Sequence, residues 1–126
     1  MKARLTTAFA ALALVAGAAA PALAHHSFAM FDFQASKTVT GTVEQFDWTN
    51  PHTFIWLQVA NDKGVTERYG FEGMSPNYLG RRGWSKSTLK PGDKVTVSYH
   101  PLKDGSKGGT YQKVMLSDGK ELMNIG

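Results

Sequence analysis

Residues 53–73 read TFIWLQVANDKGVTERYGFEG. In the first part, Ile55, Leu57 and Val59 alternate with Phe54, Trp56 and Gln58, the two-residue period of a β-strand. Asn61-Asp62-Lys63-Gly64 has turn chemistry, and Val65 to Gly73 returns as a second strand. A hairpin centred on that turn pairs Trp56 with Tyr69 and Phe54 with Phe71. The four rings then share one face, with Ile55, Leu57 and Val59 on the other. Both faces are apolar, so the strand is expected to be covered on both sides. One set forms a core. The aromatic set is either covered by the N-terminal segment or presented as a platform for a flat or apolar ligand.

Upstream, Thr38 to Trp48 is a further strand, with Val39, Gly41 and Val43 on one face, and Thr49-Asn50-Pro51 turns the chain. Downstream, Ser75 caps a short helix that carries Pro76 in its first turn, runs to about Arg82 and stops at Gly83. Pro91-Gly92-Asp93 is another turn. Lys94 to His100 follows as a strand on which His100 lies opposite Val95, Val97 and Tyr99 and is expected in solvent. Thr110 to Ser117 and a short piece at Glu121 to Met123 complete the chain. Three strands, a helix, two strands and a tail predict an all-β, OB-like five-stranded small barrel with one short helix between strands 3 and 4. A small sandwich, or an open roll plugged by the helix, has the same element order.

The chain begins with a basic Met1-Lys2-Ala3-Arg4, an apolar run from Ala8 to Ala20, and Ala22-Leu23-Ala24. That is the pattern of a signal peptide over residues 1–24, cleaved after Ala24. The apolar run is shorter than the roughly 20 residues a membrane span needs. The mature chain, 25–126, is then one domain of 102 residues, released to the periplasm or secreted, with no membrane span. Its N-terminal arm, 25–37, carries Phe28, Met30, Phe31 and Phe33, which are expected to pack across the barrel. Without Lys2 and Arg4, 12 basic side chains face 10 acidic ones, a balance too weak to argue for nucleic acid. No cysteine occurs. Any metal must therefore be held by nitrogen, oxygen or thioether sulfur.

Cleavage after Ala24 makes His25 the first residue, with His26 beside it. An α-amine near its reference pKa of about 8 yields its proton to a metal close to neutral pH. The amine and ring of His25 can chelate one ion, His26 adds a nitrogen, and His52 or His100 can supply another. Such ligands suit copper or zinc. His52 leaves a turn stiffened by Pro51, where it can equally staple strand ends by bonding a turn carbonyl. Arg81 and Arg82 beside Trp84 can hold a carboxylate or phosphate, or simply cap the helix. No nucleophile elbow, P-loop or HExxH is present, so no enzyme is expected and no catalytic residues are assigned.

His25-His26-Ser27-Phe28, Trp48-Thr49-Asn50-Pro51-His52, Arg81-Arg82-Gly83-Trp84 and Leu89-Lys90-Pro91-Gly92-Asp93 occur in that order. Together they resemble the exported bacterial family catalogued as domain of unknown function 6152, over essentially all of residues 25–123. The resemblance implies an exported single β-rich domain and carries over no activity. Three functions remain open. The first is a periplasmic protein holding copper or zinc through His25, His26 and His52. The second is a metal-free module that binds a small molecule or a periplasmic protein partner, through Phe54, Trp56, Tyr69 and Phe71 or through Arg81, Arg82 and Trp84. The third is a hydrolase or oxidase built on His52 and a carboxylate.

Overall fold

The computed structural model describes residues 28–125. The leader and His25-His26 thus lie outside the described residues. The strands are β1 (Lys37–Asp47), β2 (Phe54–Ala60), β3 (Thr66–Glu72), β4 (Lys94–Pro101), β5 (Gly108–Leu116) and β6 (Glu121–Met123), with one helix, α1 (Pro76–Gly80), between β3 and β4. β1, β2 and β3 form an antiparallel meander, and β1 also pairs with β4, which pairs with β5. A parallel contact of Gly70, Phe71 and Glu72 with Gly108, Gly109 and Thr110 joins β3 to β5. That contact closes a five-stranded OB-type barrel, the arrangement that separates it from a sandwich or open roll. The 11-residue β1 reaches both neighbours because it serves β4 with its first half and β2 with its second, with a bulge between Val43 and Gln45. β6 takes over the edge of β5 beyond the closure.

Val43, Ile55, Leu57, Phe71, Val97 and Val114 are among the core side chains, and Leu79 of α1 plugs the same core. Ser75 caps α1 as expected, its hydroxyl accepting from the Tyr78 amide at 3.2 Å. The helix is shorter than expected: Arg82 and Trp84 donate their amides to the Leu79 carbonyl at 2.8 and 3.2 Å, which tightens the end and turns Trp84 inward.

The hairpin register corrects the sequence reading. Phe54 pairs with Glu72, Ile55 with Phe71, Trp56 with Gly70 and Leu57 with Tyr69. The reason lies in the turn. Asn61 pairs with Val65 through Asn61 N–H and the Val65 carbonyl at 2.9 Å, and the Asn61 side chain accepts from the Lys63 and Val65 amides at 2.9 and 3.0 Å. Three residues, not two, therefore span the turn, with Gly64 at φ 74°, the left-handed position of a three-residue loop. One extra residue moves every β3 side chain to the opposite face. Phe71 enters the core and packs 4.8 Å from Tyr99, while Phe54 and Trp56 stay outside, 4.7 Å apart.

The described part of the arm docks on the barrel but buries one aromatic side chain. Phe31 is 4% exposed and bridges Leu102, while Asp32 N–H donates to the Pro101 carbonyl at 2.8 Å and Lys103 N–H to the Met30 carbonyl at 3.0 Å. Phe28, Met30 and Phe33 remain exposed, and the arm lies at the β4–β5 end rather than over Phe54 and Trp56. His100 does lie opposite the core residues of β4, but the arm covers it: its Nδ1 is 2.7 Å from the Ala35 carbonyl and its ring 5.0 Å from that of Phe33. Burying a phenyl ring contributes about 1.5–3 kcal/mol. Phe31→Ala is therefore expected to lower the thermal midpoint by several degrees, and an unchanged melting curve would show the arm is not part of the fold.

Candidate functional site

The hairpin ladder extends one step past β2 and β3. Thr53 N–H donates to the Met74 carbonyl at 3.1 Å, and Gly73 N–H to the Thr53 carbonyl at 2.9 Å. The Thr53 hydroxyl also donates to Met74 and receives the Tyr111 hydroxyl at 2.7 Å. Burial pushes the Tyr111 phenol well above its usual range, with the Thr53 contact offsetting part of this. This buried knot fixes the residue just before it, His52, which follows the cis Asn50–Pro51 bond.

His52 Nδ1 lies 3.1 Å from the Gly73 carbonyl. A carbonyl only accepts, so Nδ1 carries the proton and donates. In the neutral ring the lone pair then sits on Nε2, which lies 3.6 Å from Glu72 Oε1. The Glu72 side chain is 12% exposed, and no described residue donates a hydrogen bond to its carboxylate. Its backbone is held on both sides, by pairing with Phe54 and by the Thr110 hydroxyl, which donates to the Glu72 carbonyl at 3.0 Å.

His52 and Glu72 open onto a cavity of about 270 Å³ that His100 also lines. Its arm-side wall is Phe28, Phe31 and Phe33, and Met74 and Met123 contribute to the rest. Both histidines present the same arrangement, with Nδ1 tied to a backbone carbonyl. Among the described residues no group of three or more histidines and carboxylates gathers to hold a metal; His52 and Glu72 stand as a pair.

Of the other residues expected to bind, Tyr69 packs against the core and Phe71 lies within it, which dissolves the four-ring platform. On the outer face the Arg68 guanidinium stacks 3.7 Å from the Trp56 ring, and Trp56 Nε1 donates to Asp47 at 3.1 Å. Arg68 also donates to Glu44 and holds its carboxyl below the usual range. These groups satisfy one another. The Arg81, Arg82 and Trp84 corner is likewise not assembled. Trp84 is 3% exposed and donates Nε1 to the Met123 carbonyl at 3.0 Å. Arg82 stacks 3.6 Å over Tyr78, and Arg81 stays in solvent.

Comparison with known protein families matches residues 11–112 to a family of unknown function, DUF6152. The chain belongs to that family. The match takes in Trp48 to His52, Glu72 and the Arg81 to Trp84 stretch, but stops at Gln112, before β6. No curated protein and no solved structure matches the DUF6152 chain. No helix among its described residues is long and apolar enough to cross a membrane. Glu72 escaped the sequence reading as a partner of His52, because nothing in its spacing sets it there, and His100 was offered only as an alternative to His52, whereas both line one cavity. The one usable signal was the odd length of the Asn61–Val65 turn, which decides the face of Glu72.

Proposed function

We propose that this DUF6152 protein is an exported, non-catalytic binding protein that holds a transition metal, copper or zinc, through its mature N-terminal histidines. His25 supplies the amine and a ring, and His26 and His52 complete the set. One observation carries the reading. His52, its Nδ1 committed to the Gly73 carbonyl, shares a cavity with Phe28, which is three residues from His25. Three residues span at most about 11 Å, so a terminus starting at His25 is tethered to the cavity wall. A carbonyl-anchored imidazole is the usual support of a metal ligand.

N-terminal sequencing of the exported protein is expected to begin His-His-Ser-Phe. That mature protein is expected to bind Cu(II) or Zn(II) at least tenfold more tightly than a form with one extra residue before His25. The extra residue keeps every side chain but moves the amine from the His25 ring. His25→Ala and His52→Ala are expected to weaken binding comparably. Affinity should fall as pH is lowered, because protons compete for amine and imidazole nitrogens. Equal affinity in mature and extended forms, measured by calorimetry, overturns the terminal site.

The apolar walls of the cavity favour a second reading, a small apolar molecule held there without metal. Binding of an apolar fluorescent dye that survives both a chelator and His52→Ala would support it.

A further inference from the structure

We infer that the cavity lined by His52, Glu72 and the arm binds a small hydrophobic amine in its protonated form, with the ammonium on Glu72 and His52 and the apolar body against the phenylalanine wall. The inference rests on the second reading above, a small molecule held without metal, and adds the charge and head group of that molecule.

The cavity is negative. Among the described residues its titratable lining is Glu72, His52, His100 and Tyr111, with no lysine or arginine. The Tyr111 hydroxyl is taken up by Thr53, and each histidine gives its Nδ1–H to a backbone carbonyl. With both rings neutral, the Glu72 carboxylate is the one formal charge in that lining. A carboxylate whose side chain is 12% exposed is costly unless a cation or hydrogen-bond donors face it, and no described residue donates to this one.

The head-group geometry suits a primary ammonium. Glu72 Oε1 and His52 Nε2 lie 3.6 Å apart, too far to bond each other and both able to accept. One nitrogen placed about 2.9 Å from each can donate a separate hydrogen to each, with the bonds bent by only about 20° from straight. A hydroxyl has one hydrogen to give, and a quaternary ammonium has none on nitrogen.

The rest of the lining suits an apolar body. Seven large apolar side chains are exposed among the described residues, and four of them, Phe28, Phe33, Met123 and Ile125, line this one cavity. Exposed apolar groups scattered singly are ordinary, whereas a cluster around one opening marks a binding surface. The Phe28 and Phe33 rings lie 6.3 Å apart and tilted by 46°, so they wall the opening without stacking on each other. A cavity of about 270 Å³ falls just below the range of drug-sized sites, about 300–1,000 Å³. The amine is therefore small, the size of one ring on a short chain.

The test titrates four probes of one skeleton into the mature chain by calorimetry. The pH is about 8, where an imidazole of ordinary pKa is neutral and an aliphatic amine is still charged. A chelator is present throughout, so that no metal bridges probe and protein. Phenethylamine carries the ammonium, phenethyl alcohol a neutral hydroxyl, trimethyl(phenethyl)ammonium a charge without donors, and hydrocinnamate a negative charge. Phenethylamine is expected to bind at least tenfold more tightly than the other three. Glu72→Gln, which keeps the shape and is checked by its melting curve, is expected to erase the advantage over phenethyl alcohol and leave the alcohol's affinity unchanged. Phe33→Ala, at an exposed ring, is expected to weaken amine and alcohol by the same factor. Equal affinity for amine and alcohol overturns the ammonium site, as does an advantage that survives Glu72→Gln. A quaternary probe as tight as the amine overturns the bridged head group, and hydrocinnamate as the tightest probe overturns the sign. No binding of any probe while the apolar dye still binds overturns the amine alone. Failure of the dye as well overturns the apolar reading with it.

Discussion

Gly108→Ala is expected to open the barrel. Gly108 pairs with Gly70 in the parallel contact that joins β5 to β3. A Cβ there would fall 1.9 Å from the Gly70 carbonyl oxygen and 2.8 Å from its carbon, at a φ of 129°. The obstacle is backbone in the seam itself, so no flexible side chain can move aside. Overpacking of this kind costs about 1–3 kcal/mol and at times more, and an unfavourable backbone conformation adds about 1–3 kcal/mol. Against a domain stability of about 5–15 kcal/mol, the variant is expected to lose a large part of its resistance to urea, read as a lower midpoint. Gly64→Ala is the control. Its φ is 74°, but a Cβ meets nothing within 4 Å, so only the conformational cost of about 1–2 kcal/mol remains. Equal midpoints for the two variants would mean that the β3–β5 seam does not hold the barrel shut.

Trp84→Ala is expected to cost about 3–5 kcal/mol, the range for deleting a large buried ring. The indole packs 5.7 Å from Tyr111 and 6.0 Å from Phe46. Its removal leaves a void beside α1 and takes the donor from the Met123 carbonyl. Trp84→Phe keeps most of the apolar surface and loses that bond, for an expected cost of about 1–3 kcal/mol. Arg81→Ala, at an exposed site, should stay within about 0.5 kcal/mol of the parent. Chemical denaturation of the three variants measures the series. Near-native stability of Trp84→Ala would remove Trp84 from the core and return it to a binding surface.

The two variants probe different depths of the sequence. The six strands and the capped helix were legible because each follows a local rule: alternation for the strands, a hydroxyl before Pro76 for the helix, Gly and Asn for the turns. Trp84 was misread because its neighbours Arg81 and Arg82 are charged. Its burial follows from the shorter helix turning it toward Tyr111, a contact across 27 positions. Glu72 was legible only as an isolated acid, since its place beside His52 depends on the extra residue at Gly64.

By itself the sequence determined which segments are strands, where the helix starts, and that metal thiolates are excluded, because these depend on nearest neighbours and composition. Tertiary structure alone decided the rest. It closed β3 on β5, put Phe71 inside and Trp56 outside, laid the arm over His100, and set His52 beside Glu72 in one cavity. The physical reason is that strand register is a two-fold choice. A single residue in a turn reverses the face of a whole strand, and only packing against distant strands settles which face is buried.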